Sequence, residues 1–190
     1  MKAGLLILAV LLGVALLIGV NAASVNNQLV EKREAVTAAW GNVDVALQRR
    51  ADLIPNLVET VKGFASQEKQ VIDSVTSARA QLAGARTPQE KLAANQQIES
   101  ALARLLVVVE NYPQLKSNEN FMRLQDELAG SENRIAVERR KYNETVQTYN
   151  TAIGKFPSNL FARLLGFQRV DDYFKVAPGA QNAPQVKFAR

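Results

Sequence analysis

From Ala3 to Val20 the chain is almost wholly Leu, Val, Ile, Ala and Gly, and between Lys2 and Glu31 it carries no charge. A helix that spans a bilayer needs about 20 predominantly apolar residues, and this run supplies them. Val20-Asn21-Ala22 also offers small residues at the spacing of a leader cleavage site. The run is longer than the ~7–15 apolar residues of a usual secretory leader, so a retained signal-anchor over residues 1–23 is the expectation. The short charged start directs the rest of the chain out of the cytoplasm, against an opposing pull from Lys32 and Arg33. The expected place is the inner (cytoplasmic) membrane, single-pass, with the body periplasmic or otherwise extracytoplasmic. The first expected partner is the lipid bilayer, through this helix.

The remaining alphabet excludes much chemistry. There is no histidine and no cysteine, hence no imidazole base, thiol nucleophile, disulfide, lipidated cysteine or His/Cys metal centre. No metal or other cofactor is expected. The net charge of +5 would suit nucleic acid only if gathered on one face. Acids and bases instead interleave along the body, and residues 156–190 hold five basic against two acidic side chains. Nucleic acid is therefore not an expected partner.

The body reads as helix. Val36, Trp40, Val43, Leu47, Arg50, Ile54, Leu57, Val61, Phe64, Glu68, Val71, Val75, Ala78 and Leu82 alternate spacings of four and three, the seam of a helix packed on other helices. Gly84 offers a stop, and Thr87-Pro88-Gln89-Glu90 a capping box with proline in the first turn. Ile98, Leu102, Leu105 and Val109 continue the rhythm until Tyr112-Pro113 ends it. Ser117 or Asn118 can cap a further helix, in which Phe121, Leu128, Ile135, Tyr142, Tyr149 and Phe156 recur every seventh residue as a core stripe. The fold class is all-α: the transmembrane helix, an antiparallel four-helix bundle over residues 24–156, then a short apolar helix and an extended tail over 157–190.

The segment LQRRADLIPNLVET, residues 47–60, sets two arrangements against each other. One straight helix over 25–83 would be about 90 Å long, and later helices of roughly 22 and 36 residues would leave Trp40, Val43 and Leu47 uncovered. A fold-back near Ala51 instead gives helices of about 25–50, 53–83, 88–111 and 118–154. Arg49 and Arg50 then close the first helix, Asp52 caps the second, and Pro55 falls in its first turn. The seam, however, crosses this point without a break in phase. Burial favours the fold-back. Arg50 is expected to pair with Glu138, which also holds a seam position. Glu68 with Glu138 is the best candidate for a buried carboxylate pair.

The blocks AWGNVDVALQRRADLIPNLVETVKGFA, ENYPQLKSNENFMRLQDELAGSENRIAVERRKYNETVQTYNTAIGKFPSN and LLGFQRVDDYF resemble, in order and spacing, the LemA family of bacterial membrane-anchored proteins. The resemblance implies an amino-terminal transmembrane helix, a four-helix bundle and no established enzymatic activity. It also singles out Arg49, Arg50, Asp52, Pro55, Asn56, Tyr112, Pro113, Leu115, Lys116, Glu132, Asn133 and Arg134 as an interaction or structural motif. Val107-Val108-Val109 departs from the family's look, which bears on packing rather than on function.

In the tail, Leu160, Phe161, Leu164, Leu165 and Phe167 form a short apolar segment accompanied by Arg163 and Arg169. They either cap the bundle or touch a membrane surface. VAPGAQNAPQVKFAR is expected to be extended or flexible. The functional expectation is a non-catalytic, membrane-anchored scaffold of the cell envelope with envelope-protein partners and a capacity to form homo-oligomers. The alternative is a self-assembling protein that acts on the membrane surface.

Overall fold

A computed structural model describes residues 2–174 of the 190-residue chain. Six helices succeed one another: α1 Lys2–Ala65, α2 Lys69–Gly84, α3 Pro88–Val109, α4 Pro113–Lys116, α5 Glu119–Gly154 and α6 Ser158–Leu164. No strand occurs among the described residues. The VAPGAQNAPQVKFAR stretch lies outside them.

The start signals form as the sequence predicts. The Thr87 side chain accepts from the Glu90 amide at 3.2 Å, and Glu90 accepts from the Arg86 and Thr87 amides at 2.7 and 3.1 Å. These amide donors hold the Glu90 carboxyl below its ordinary value of 4.5. Asn118 caps α5 by accepting from the Phe121 amide at 3.1 Å, and α2 ends at Gly84.

The fold-back does not occur: α1 runs unbroken through Arg49, Arg50, Asp52 and Pro55. The unbroken seam was the better guide, because the helix finds cover the burial argument overlooked. Above about residue 42, α1 packs with α2, α3 and α5 as four antiparallel segments. Their register is marked by Arg79 against Ala51, Lys91 against Asp44, and Arg49 against Glu127. Below that level α5 continues down α1, and the extended chain after α6 lies over both. Trp40 meets Tyr142 edge-on at 5.7 Å and stacks on Phe174 of the tail at 5.9 Å. A segment with no helical period thus covers the lower seam.

The core joins Val43, Leu47, Ile54, Leu57 and Val61 of α1 with Val75, Ile98, Leu105, Phe121, Ile135, Val146 and Tyr149. Phe156, expected at the foot of the stripe, is 81% exposed, because α5 has ended at Gly154 and the chain has turned. Leu6 to Val20 stand exposed along the start of α1. The most apolar 18-residue window of α1 has a mean hydropathy of 2.6 with none of it buried, and α1 is long and apolar enough to cross a membrane.

Candidate functional site

Pro55 explains the first unusual feature of the motif. Lacking an N–H, it cannot give Ala51 its helical hydrogen bond, and Ala51 is buried. Arg79 of α2 donates from Nε to that carbonyl at 3.1 Å. The proline thereby opens an acceptor on α1 that a partner helix fills. Asp52, expected to cap a helix, is mid-helix and exposed, where it accepts from Gln48 at 2.7 Å. Asn56 is exposed, and its carbonyl accepts from Thr60 at 2.8 Å.

Arg50 is the charged centre of the bundle, its side chain only 7% exposed. It pairs with Glu132 of α5 at 2.5 Å and Glu99 of α3 at 3.5 Å, and donates to Asn95 at 3.2 Å. Asn95 donates to Glu99 at 2.6 Å, and Arg139 approaches Glu99 at 3.6 Å. Arg50 Nε and Arg139 Nε have no hydrogen-bond partner among the described residues. Glu132 Oε2 also lacks a directed hydrogen bond despite its short distance to Arg50. That contact is electrostatic rather than aligned.

The expected Arg50–Glu138 pair is absent because α5 presents Glu132, not Glu138, at the level of Arg50. Glu138 lies about a turn and a half further along and is held by Arg134 at 3.4 Å and Lys141 at 3.1 Å. The Glu68–Glu138 pair fails for the same geometric reason. Glu68 sits beyond the top of α1, and Glu138 beside Val45 and Ala46, about 30 Å of helix away.

The Arg50 cluster floors an apolar groove of about 560 Å³. Leu57, Leu102, Leu106 and Leu128 line it, with Asp126 at the side. The other motif residues are elsewhere. Arg49 is exposed opposite Glu127, and Asn133 is exposed. Tyr112, Pro113, Leu115 and Lys116 gather at the far end of the bundle. There Tyr112 donates to Glu68 at 2.7 Å and Lys116 meets Glu110 at 2.6 Å. Donating this hydrogen bond to a carboxylate pushes the Tyr112 hydroxyl pKa up. Leu115 is fully buried. Sequence reasoning thus named Arg50 and Glu132 but missed Asn95, Glu99 and Arg139, which carry no motif.

A second arrangement escaped sequence reasoning. Asn143 donates to the Phe174 carbonyl and accepts from the Phe174 amide, both at 2.9 Å. One heptad on, Asn150 donates to the Val170 carbonyl at 2.7 Å and accepts from its amide at 3.0 Å. Tyr149 donates to the Gln168 carbonyl at 3.0 Å. Phe174 also meets Tyr142 edge-on at 5.4 Å, with the Arg139 guanidinium 5.3 Å over its ring. The signal was the Tyr-Asn pair, repeated at 142–143 and 149–150.

At the foot of the bundle α6 contacts α1 and α5 and buries Ala162. Leu160, Leu164 and Leu165 remain exposed, Leu164 at 83%. Phe161 and Phe167 are half-buried, and Phe167 packs on the core.

Among the described residues no cluster of three or more acidic side chains is placed to hold a metal. The molecule is an all-helical bundle built on a helix able to span a membrane. The LemA family pattern matches residues 39–188, and the chain belongs to the LemA family. It is 29% identical over 189 residues to Magnetosome protein MamQ of Magnetospirillum gryphiswaldense, covering 84% of this chain and 69% of that protein. It is 30% identical over 178 residues to Magnetosome protein MamQ 2 of Paramagnetospirillum magneticum, covering 80% and 65%. With Protein LemA of Metamycoplasma hominis it shares 23% over 145 residues, covering 76% and 66%. The chain spans roughly two thirds of the length of these relatives.

Proposed function

We propose that this chain is a non-catalytic scaffold of the bacterial cell envelope, anchored in the inner membrane by the start of α1 with its bundle on the extracytoplasmic side. The observation that carries this reading is the continuity of α1. One helix is wholly apolar and uncovered at its start and forms the centre of a polar-surfaced bundle at its end. Such a chain carries a rigid interaction surface on the same helix that would enter the bilayer. Among the described residues the interiors of the bundle and groove offer paired charges and leucines, an arrangement suited to packing and docking, with no nucleophile beside a base there. The names of the relatives specify no reaction. Pull-down from detergent extracts, against a control lacking residues 1–23, tests the reading. Recovery of specific envelope proteins by the anchored form supports it, and recovery of none at native levels counts against it. Protease added after opening the outer barrier should digest the bundle; protection would place it in the cytoplasm.

Contact of the bundle with the membrane surface is favoured by one further observation. The level of α6 is marked by Gln28 and Lys32 of α1, which line a hollow with Lys155 and Ser158. Gln28 is about 12 Å beyond Val20 at helical rise, so the exposed Leu160, Leu164 and Leu165 lie near headgroup height, beside Lys32, Lys155 and Arg163. Basic and apolar side chains together suit an anionic lipid surface. Flotation with anionic vesicles of a form lacking residues 1–23 tests this. Binding should fall when the three leucines become serine, and binding that is absent or unchanged would remove the idea.

A further inference from the structure

We propose that the groove between α1 and α5 is a receptor for an extended peptide, filled here by the chain's own residues 167–174 and open to the same segment of a second copy. Asn143 and Asn150 each grip both main-chain groups of one tail residue, bonds that any tail sequence could make, and Asn150 also donates to the Tyr173 hydroxyl at 3.0 Å. The two grips match in pitch. Seven residues of helix separate the asparagines by about 10 Å; Val170 to Phe174 would span about 13 Å if fully extended, and a tight turn closed by the Tyr173 amide donating to the Asp171 carbonyl at 2.9 Å shortens that reach. Side-chain selectivity lies at the ends. Phe174 enters the seat made by Trp40, Tyr142 and Arg139, while Phe167 and Val170 rest on the core. Gln168, Arg169, Asp171 and Asp172 between them are exposed. This is recognition of an extended main chain with an aromatic anchor.

The groups that read residues 168–174 come from α1 and α5, and none from the link that delivers the tail. That link passes through Gly166, whose φ of 77° suits glycine. A tail arriving from a neighbour would make the same bonds. Exchange between copies therefore depends only on the balance between the effective concentration set by the link and that of neighbours confined to one membrane.

The test uses full-length chains with two different tags, reconstituted together in phosphatidylcholine vesicles, cross-linked and purified by one tag. One variant disables the groove (Asn143→Leu with Asn150→Leu). The other disables the tail (Val170→Pro with Phe174→Ala), the proline removing the amide that Asn150 accepts. The two variants together should co-purify, each alone should not, and wild-type copies should co-purify increasingly with surface density. A peptide of residues 166–174 should displace the groove variant from the tail variant. Its Phe174→Ala form should need about ten-fold more, since a seated aromatic ring contributes at least that factor. Failure of the two folded variants to pair, wild-type copies that never pair, or a peptide without effect would overturn the proposal. Should the groove variant lose its helix content, binding of the peptide to the tail variant decides: saturable binding supports the receptor, and none overturns it.

Discussion

Replacing Arg79 by Met removes the donor that reaches the Ala51 carbonyl at 3.1 Å while keeping most of the side-chain stem. In the native chain that carbonyl has no alternative donor at residue 55, because Pro55 has no N–H. Leaving a buried acceptor unsatisfied costs about 1–3 kcal/mol. For a chain of this size that is a fall in Tm of roughly 2–12 °C. Pro55→Ala restores the helical donor and should by itself stabilise α1. The gain is at most about 3 kcal/mol of helix propensity, less the ~0.4–1 kcal/mol by which proline restricts the unfolded chain. In the Pro55→Ala background the Ala51 carbonyl is already satisfied, so Arg79→Met should cost only about 0.5 kcal/mol, a net hydrogen bond at the low end. The double-mutant cycle should therefore show about 0.5–2.5 kcal/mol of coupling between residues on two adjacent helices. Thermal unfolding followed by far-UV circular dichroism on the full chain in mild detergent measures all four corners. An equal loss from Arg79→Met in both backgrounds would refute the account of Pro55 as the opener of a docking acceptor.

Arg50→Met should cost about 1.5–3 kcal/mol, the scale of lost charge-assisted bonds. It falls short of the ~3–5 kcal/mol of a stranded buried charge, because Glu99 and Glu132 stay 38% and 42% exposed. A cycle should couple Arg50 to Glu132 and leave Arg50 with Glu138 additive; the reverse, by urea unfolding, would contradict the geometry. Deleting residues 1–23 should give a soluble, predominantly helical protein, since the core cluster begins at Val36, beyond the deleted stretch; a soluble product with little helix by circular dichroism would refute this. Thr87→Ala should cost about 0.5–2 kcal/mol as a lost cap. Because the folded pKa of Glu90 is lowered, its contribution is present above the ordinary value of 4.5 and disappears as pH falls through the lower folded value. The Tm gap between wild type and Glu90→Gln should accordingly close on acidification in that window, and a gap that widens would contradict the sign.

The features legible in the sequence were those whose cause is local. The capping box at Thr87 and Glu90, the Asn118 cap and the heptad stripe through Tyr149 need only neighbours one or two turns away, so spacing alone reveals them. Pro55 was misread because a proline with charged neighbours suits a turn as well as a helix whose freed carbonyl is bonded from elsewhere. Only α2, arriving with Arg79, distinguishes the two. Burial arguments misled for a related reason: they assigned cover only to segments with helical period, and Phe174 has none. Asn150, one heptad from Asn143, reads as a solvent-facing amide until the tail places a main chain against it. Arg50 announced itself as a charge in a seam, but its partners Glu99 and Glu132 depend on the relative slide of three helices.

The unbroken α1 makes the bundle a lever. From Val20 to Ala65 the same helix continues for about 68 Å at 1.5 Å per residue. Membrane helices tilt by about 20° on average, and more when the bilayer is thinner than their apolar length. A rigid arm of that length turns a 20° tilt into a sideways sweep of about 23 Å at the end where Tyr112 meets Glu68. Bilayer thickness, met by the apolar side chains from Leu6 to Val20, would thus be displayed at the opposite extremity as position.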